Sequence, residues 1–270
     1  MENNPFESWL LTAEKAESFF PACSFAEFFM QHFTPKCIDI LYIHDDLNSF
    51  EGKTKKRVEE TESIFAQKNI EVEHNYQHGN FAKGTSTFST SNQKKLIICG
   101  AERVTGFRRF WNGSETYKLI RMCKSSVISV QEEYTKNTLD KIVVPIDSSP
   151  ETTEKVMMGI FLAQIFKAKL YILGLDSDKS SENKHSLKTN LEKANSLLIE
   201  SGIEYNFETL KGSNITDITL QYCDDIKADL VMMMAVEEAN PKGMFEGSFA
   251  EQMILKSHIP VFALRPEREL

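Results

Sequence analysis

The chain has 270 residues, 41% of them hydrophobic, which is enough for one large core or for two of about 130 residues each. Asp and Glu number 39 against 31 Lys and Arg, a formal net charge of -8, and this acidic balance excludes DNA or RNA as the main partner, because nucleic-acid binding rests on a dense basic face. The most apolar window, 19–30, is broken by Pro21 and Glu27 and is too short to span a bilayer, and Met1 to Pro5 lack the basic and apolar regions of a signal peptide, so a cytoplasmic protein away from membranes is expected. The five cysteines, Cys23, Cys37, Cys99, Cys123 and Cys223, form no C-x-x-C and read as free thiols in a reducing compartment rather than as a disulfide frame or zinc site.

In chain order, the first half reads as a minimal strand over 9–12, a Phe-rich helix over 19–33, a strand over 37–44 and a charged helix over 52–68. Strands follow over 72–77, 96–100 and 127–130. The stretch 79–94 is rich in Ser and Thr, which compete with the backbone for hydrogen bonds, so its helix is expected to be abbreviated or frayed. Residues 132–138 are polar and lack periodicity, as an interdomain linker does.

The second half alternates strand and helix at the spacing of parallel β-α-β units. Lys141 to Ile146 is a short β-branched run suited to a strand covered on both faces. Asp147-Ser148-Ser149-Pro150 stops it, with Ser149 placed to cap a helix and Pro150 at its first position. A strand over 168–175 follows, then a helix over 180–201 whose Leu187, Leu191, Ala194 and Leu198 step at helical spacing up to the stop at Gly202. Further strands are expected over 203–210, 229–235 and 259–264, and helices over 215–226 and 248–257.

Residues 96–130 and 230–264 superimpose without a gap at a constant offset of 134, with Gly113-Ser114 on Gly247-Ser248, Trp111 on Phe245, and Val127-Ile128 on Val261-Phe262. A repeat of this length is a whole domain per copy rather than a solenoid unit. The expected organisation is therefore a degenerate first domain over 1–131, a linker over 132–138 and a second domain over 139–270. The apolar fifth strands of the two copies end them as sheet edges, and bare apolar edges invite pairing.

Three segments in this order, Ile142 to Pro150, Ala228 to Met233, and Gly247-Ser248-Phe249-Ala250-Glu251 followed by Ile259 to Pro266, resemble the universal stress protein family. The resemblance covers 140–266 and extends through the repeat to 8–131. It implies an α/β fold of two tandem Rossmann-like (adenine-nucleotide-alpha-hydrolase-like) domains, each a five-stranded parallel sheet flanked by helices. For the two fifth strands the resemblance implies an antiparallel pairing in an intramolecular pseudo-dimer, with a homodimer as a further expectation. It also implies that nucleotide-binding members hold ATP with a loop written G-x2-G-x9-G-(S/T) after the fourth strand, and place an Asp against the adenine base.

Neither copy has that loop intact. Counting back from Gly247-Ser248, the earlier glycine positions hold Glu237 and Met234; counting back from Gly113-Ser114, they hold Arg103 and Gly100. Glycine is needed there because backbone N–H groups must turn toward phosphate oxygens with positive φ or at very close approach. Glu237 and Glu238 add two carboxylates beside the place of a polyphosphate, and twelve glycines in the chain fall well below the roughly 7% of an average protein. Asp147 holds the base position in the second copy, where the first copy has roughly Lys15. The candidate ligand residues are thus Asp147, Gly247, Ser248, Gly100, Arg103, Gly113 and Ser114, and each Gly-Ser pair reads equally as a helix N-terminal anion seat or as a capping serine after a turn glycine. Arg103, Arg108 and Arg109 suit an anion clamp or a solvated loop.

His74 and His78 share a strand face but have no third metal ligand nearby, so no metal is expected. No nucleophile is paired in sequence with a base, and there is no G-x-S-x-G elbow or two-metal acidic cluster. The expected function is a non-catalytic stress-response protein acting by assembly and by binding a protein partner that the sequence does not name, with no cofactor. The alternatives are a sensor of a small anion or adenine nucleotide in one copy and, last, a slow nucleotide hydrolase.

Overall fold

The computed structural model describes residues 5–13, 16–44, 53–101, 114–148, 152–176, 181–235 and 249–265. The chain divides into two compact units: unit 1 is Met1–Asn137 with Ile254–Arg265, and unit 2 is Thr138–Met253 with Pro266–Leu270.

Unit 1 contains β1 (Ser8–Ala13), α1 (Ala16–Phe29), β2 (Cys37–His44), α2 (Lys53–Ala66), β3 (Glu71–His78), α3 (Phe81–Ser91), β4 (Leu96–Ala101), α4 (Glu115–Met122) and β5 (Ser126–Gln131). Its strands stand in the order β3-β2-β1-β4-β5, all parallel. The chain's last strand, which follows all the elements of unit 2 and is numbered β10 (Val261–Leu264), runs antiparallel to β5, with Val261 opposite Ser129 and Ala263 opposite Val127. The antiparallel pairing expected of the two fifth strands is therefore present, and it covers the apolar edge of β5. Arg265 reinforces this seam: its backbone N–H donates to Ser126 Oγ at 3.0 Å, and its guanidinium donates to the Ile120 carbonyl in the last turn of α4.

The core of unit 1 is aromatic. Phe29 of α1 has the rings of Phe33, Phe25 and Trp9 at centroid distances of 4.7, 5.7 and 5.8 Å. The Trp9 indole N–H is satisfied by the Phe6 carbonyl at 2.7 Å, as a buried donor requires. Unit 1 also buries an ion pair: the Lys94 ammonium meets the Asp39 carboxylate with both side chains 5% exposed, and Asn75 Nδ2 donates to the same carboxylate at 3.2 Å.

The helix expected to be frayed is complete. α3 spans eleven residues, capped by Asn80, whose side chain accepts from the Lys83 N–H, and closed by Asn92. Its Phe81, Ala82, Thr85, Ser86, Phe88 and Ser89 are buried. Burial of one face and two good caps outweigh the weak propensity of Ser and Thr.

Unit 2 contains β6 (Lys141–Ile146), α5 (Thr152–Phe166), β7 (Lys169–Asp176), α6 (Ser181–Ser201), β8 (Tyr205–Lys211), α7 (Ile215–Ile226), β9 (Leu230–Met234) and the start of α8 (Phe249–Lys256). Strands β9-β6-β7-β8 are neighbours in that order and parallel. α5 lies close on the sheet because Gly159 has no side chain: a Cβ there would stand 3.0 Å from Val144 Cγ2. The capping pair expected at Ser149 and Pro150 falls outside the described residues. Asp229, 4% exposed, accepts the N–H groups of Asp140 and Lys141 at 3.0 Å each and so fixes the start of β6. Among the described residues no helix is long and apolar enough to cross a membrane.

Candidate functional site

In each unit the chain winds outward from a central strand and then returns to its other side, so the strand order reverses between β1 and β4 in unit 1 and between β6 and β9 in unit 2. Ligands of open α/β sheets bind at the carboxyl ends of the strands at such a point.

In unit 1, Gly100 lies near the end of β4, opposite Ala13 of β1. A Cβ on Gly100 would stand 1.9 Å from the Ser18 carbonyl oxygen of α1, so helix packing alone demands a glycine at this position. Ser114 is the N-cap of α4, and its side chain accepts from the Tyr117 N–H at 3.2 Å. Its hydroxyl oxygen therefore serves the helix's own first turn. Glu115, the next residue, reaches across to α3: Oε2 accepts from Asn80 Nδ2 at 3.0 Å and from the Ala82 N–H at 3.3 Å, while Oε1 accepts from Lys118 Nζ at 2.7 Å. Partial burial raises the Glu115 pKa, but the bonds from Lys118, Ala82 and Asn80 outweigh it, and the carboxyl is held below its ordinary value. Arg103 and Gly113 lie outside the described residues, as do Arg108 and Arg109.

Strand register corrects one sequence-based alignment. Ala13 pairs with Gly100, and Ile142 pairs with Leu230, which carries Ile146 opposite Met234. Asp147 follows Ile146, so its counterpart is the residue after Ala13, which is Glu14 and not Lys15. The repeat offset shifts by one between the first and fourth strands, a slip that apolar matching does not reveal. Glu14 and Lys15 both lie outside the described residues.

In unit 2, Asp147 is partly buried directly after β6, and its carbonyl accepts from Asn190 Nδ2 of α6 at 2.9 Å. Met234, at the first glycine position, ends β9 and is 9% exposed. Gly247 and Ser248 lie outside the described residues, together with Glu237, Glu238 and Glu246. Two residues that sequence reading passed over stand at this end of unit 2. Asn190, 8% exposed, interrupts the apolar face of α6 beside Leu191, a signal the periodicity carries. Lys155, 6% exposed, sits in the first turn of α5 beside the core residue Val156, and nothing in its local sequence marks it.

Beside Gly100, Cys99 Sγ lies 4.0 Å from Thr116 Oγ1 of α4. His74 Nε2 lies 3.1 Å from Glu62 Oε2 of α2, and among the described residues no three His, Cys, Asp or Glu side chains are grouped to hold a metal. Cys23, Cys99, Cys123 and Cys223 are buried, and Cys37 is partly so. Burial pushes the Cys223 thiol up to about 12 and raises that of Cys123, where Arg265 only partly offsets it, so neither is a thiolate at neutral pH.

Comparison with known proteins agrees with this geometry. Residues 138–265 match the model of the universal stress protein family. A universal stress protein of Methanocaldococcus jannaschii is 28% identical over 149 residues, covering 50% of this chain and 87% of that protein. The crystal structure of a universal stress protein from Archaeoglobus fulgidus matches with a TM-score of 0.72 at 17% identity, covering 98% of this chain and 100% of the other. A putative universal stress protein from Pseudomonas aeruginosa matches at 0.67 and 14% identity over 97% and 94% of the two chains. The structural matches establish a shared Rossmann-like α/β fold along the whole chain, and the sequence matches identify residues 138–265 as a universal stress protein domain.

Proposed function

We propose that this chain is a non-catalytic universal stress protein of the cytoplasm, a duplicated scaffold that acts in the stress response by assembly and partner binding and holds no ATP in either copy. The universal stress protein domain supports the stress-response role. The observation that carries the rest is the Glu115 carboxylate, ionised and bonded to three donors between the starts of α3 and α4. A nucleotide phosphate at the start of α4 would meet that charge at short range. In the second copy the reading rests on Met234 and Glu237 at the two glycine positions.

The test is thermal. Millimolar ATP with magnesium should leave the Tm of the full chain unchanged, because stabilisation follows RT ln(1 + [L]/Kd) and Kd is at or above millimolar. Mass spectrometry of protein purified under native conditions should find no stoichiometric nucleotide. A Tm rise of several degrees, or a copurified nucleotide, would replace this reading with that of a ligand sensor.

A further inference from the structure

We propose that Glu115 is an autoinhibitory contact: its carboxylate ties the start of α4 to the start of α3 and keeps free anions from the helix ends of unit 1. The inference goes beyond the reading above, since it assigns the exclusion to one removable group and extends it from nucleotides to any small oxyanion.

The geometry is that of a bound anion supplied by the chain itself. The donors come from the starts of two helices: the N-cap Asn80 Nδ2 and the Ala82 N–H at α3, 35 and 33 residues away in sequence, and Lys118 Nζ in α4 itself, three residues away. A helix leaves its first N–H groups without partners, and they and the helix dipole attract negative charge. At α3 these groups are shared out. The Lys83 N–H goes to Asn80 Oδ1 at 2.9 Å, the Gly84 N–H to the Asn80 carbonyl at 2.9 Å, and the Ala82 N–H to Glu115. At α4 the Tyr117 N–H goes to Ser114 Oγ and the Lys118 N–H to the Ser114 carbonyl. Lys118, in the first turn of α4, is spent on Glu115 as well. A first-turn glutamate that served only its own helix dipole would need none of the α3 contacts. By making them, Glu115 fills the positions that an incoming oxyanion would use and repels it from the rest.

The experiment compares the full-length protein with Glu115→Gln and Glu115→Ala, measuring Tm against inorganic phosphate, with chloride at matched ionic strength as the baseline. Glu115→Gln keeps an acceptor toward Asn80 and Ala82, so it folds while losing the charge. The expected result is a saturable, phosphate-specific rise in Tm in both variants, corresponding to a phosphate Kd at least ten-fold below that of wild type. If Asn80→Ala and Lys118→Ala are then added singly to Glu115→Gln, each should weaken the gained affinity. Equal phosphate response in wild type and both variants would overturn the proposal, and so would a gain that survives the loss of Asn80 and Lys118. ATP binding by the wild-type protein would defeat the proposed function without deciding this point, so the two failures are distinct.

Discussion

Near the end of its fourth strand unit 1 has Gly100, with the Ser18 carbonyl pressed against it, while at the same register unit 2 has the buried side chain of Met234. At the other end of the sheet the contrast recurs. Unit 1 buries the Asp39–Lys94 ion pair, and the residues at those positions in unit 2 are Tyr171 and Ala228. A common backbone thus tolerates opposite solutions, because the strand ladders and helix crossovers fix the fold while end residues answer only to local neighbours. The comparison also separates two reasons for a glycine. Gly100 is required by the approach of α1, so its retention in the first copy says nothing by itself about phosphate.

The ion pair offers the largest effect. Replacing Lys94 by Ala leaves the Asp39 carboxylate buried without its counter-ion, with Asn75 Nδ2 still donating to it, and the expected loss is about 3–5 kcal/mol of unfolding free energy in urea titration. Replacing both partners by apolar residues, Asp39→Leu with Lys94→Met, follows the solution of unit 2 and should recover most of that loss. If the double variant is as unstable as the single one, the pair does more than neutralise its own burial.

Gly100→Ala comes next. The new Cβ has a backbone oxygen in its way rather than a flexible side chain, so α1 or β4 must shift, at about 1–3 kcal/mol. An unchanged midpoint would mean that α1 gives way at no cost, and would return Gly100 to the list of residues kept for a ligand.

Glu115 gives a smaller, pH-dependent effect. Its pKa in the folded protein is held below the unfolded value of about 4.3, so its contribution is fully present above that pH and is lost as pH falls through the folded pKa. Wild type should therefore lose up to about 1 kcal/mol more stability on acidification than Glu115→Gln does, the scale of one helix cap. Parallel acid titrations of the two proteins would show the carboxylate to be energetically idle.

Much of this architecture was legible in the sequence, and the failures have physical causes. Lys141–Ile146 and Ile215–Ile226 read correctly because a β-branched run in the first and helical periodicity in the second agree with what each element buries, and the structure adds an N-cap at Asn214. α3 misled because Ser and Thr propensity is a local quantity, whereas Phe81, Ala82 and Phe88 are decided by what they pack against. At the candidate site, Asp147 was named through the family resemblance. Glu115 was not visible, because the bonds that give it meaning come from residues more than thirty positions earlier in the chain. The Asp39–Lys94 pair was hidden for the same reason, and Glu14 was displaced by a one-residue slip that only strand register exposes.

The last effect is the smallest and tests whether the two copies differ in their glycines or in something deeper. Replacing Met234 and Glu237 together by Gly removes a buried side chain and a carboxylate from the positions where phosphate-binding relatives need bare backbone. Asp147, Gly247 and Ser248 are already in place in the sequence, so the double variant should bind ATP measurably where wild type does not. At a ligand concentration equal to Kd the stabilisation is only about 0.4 kcal/mol, so the measurement belongs to equilibrium titration with a fluorescent ATP analogue rather than to melting. The Met234→Gly change itself costs core stability, which makes Glu237→Gly alone the necessary control. If the double variant folds and still leaves affinity unmeasurable, the missing glycines are not what keeps nucleotide out of unit 2. Asn190, whose Nδ2 donates to the Asp147 carbonyl, and Lys155, buried in the first turn of α5, would then be the next positions to change.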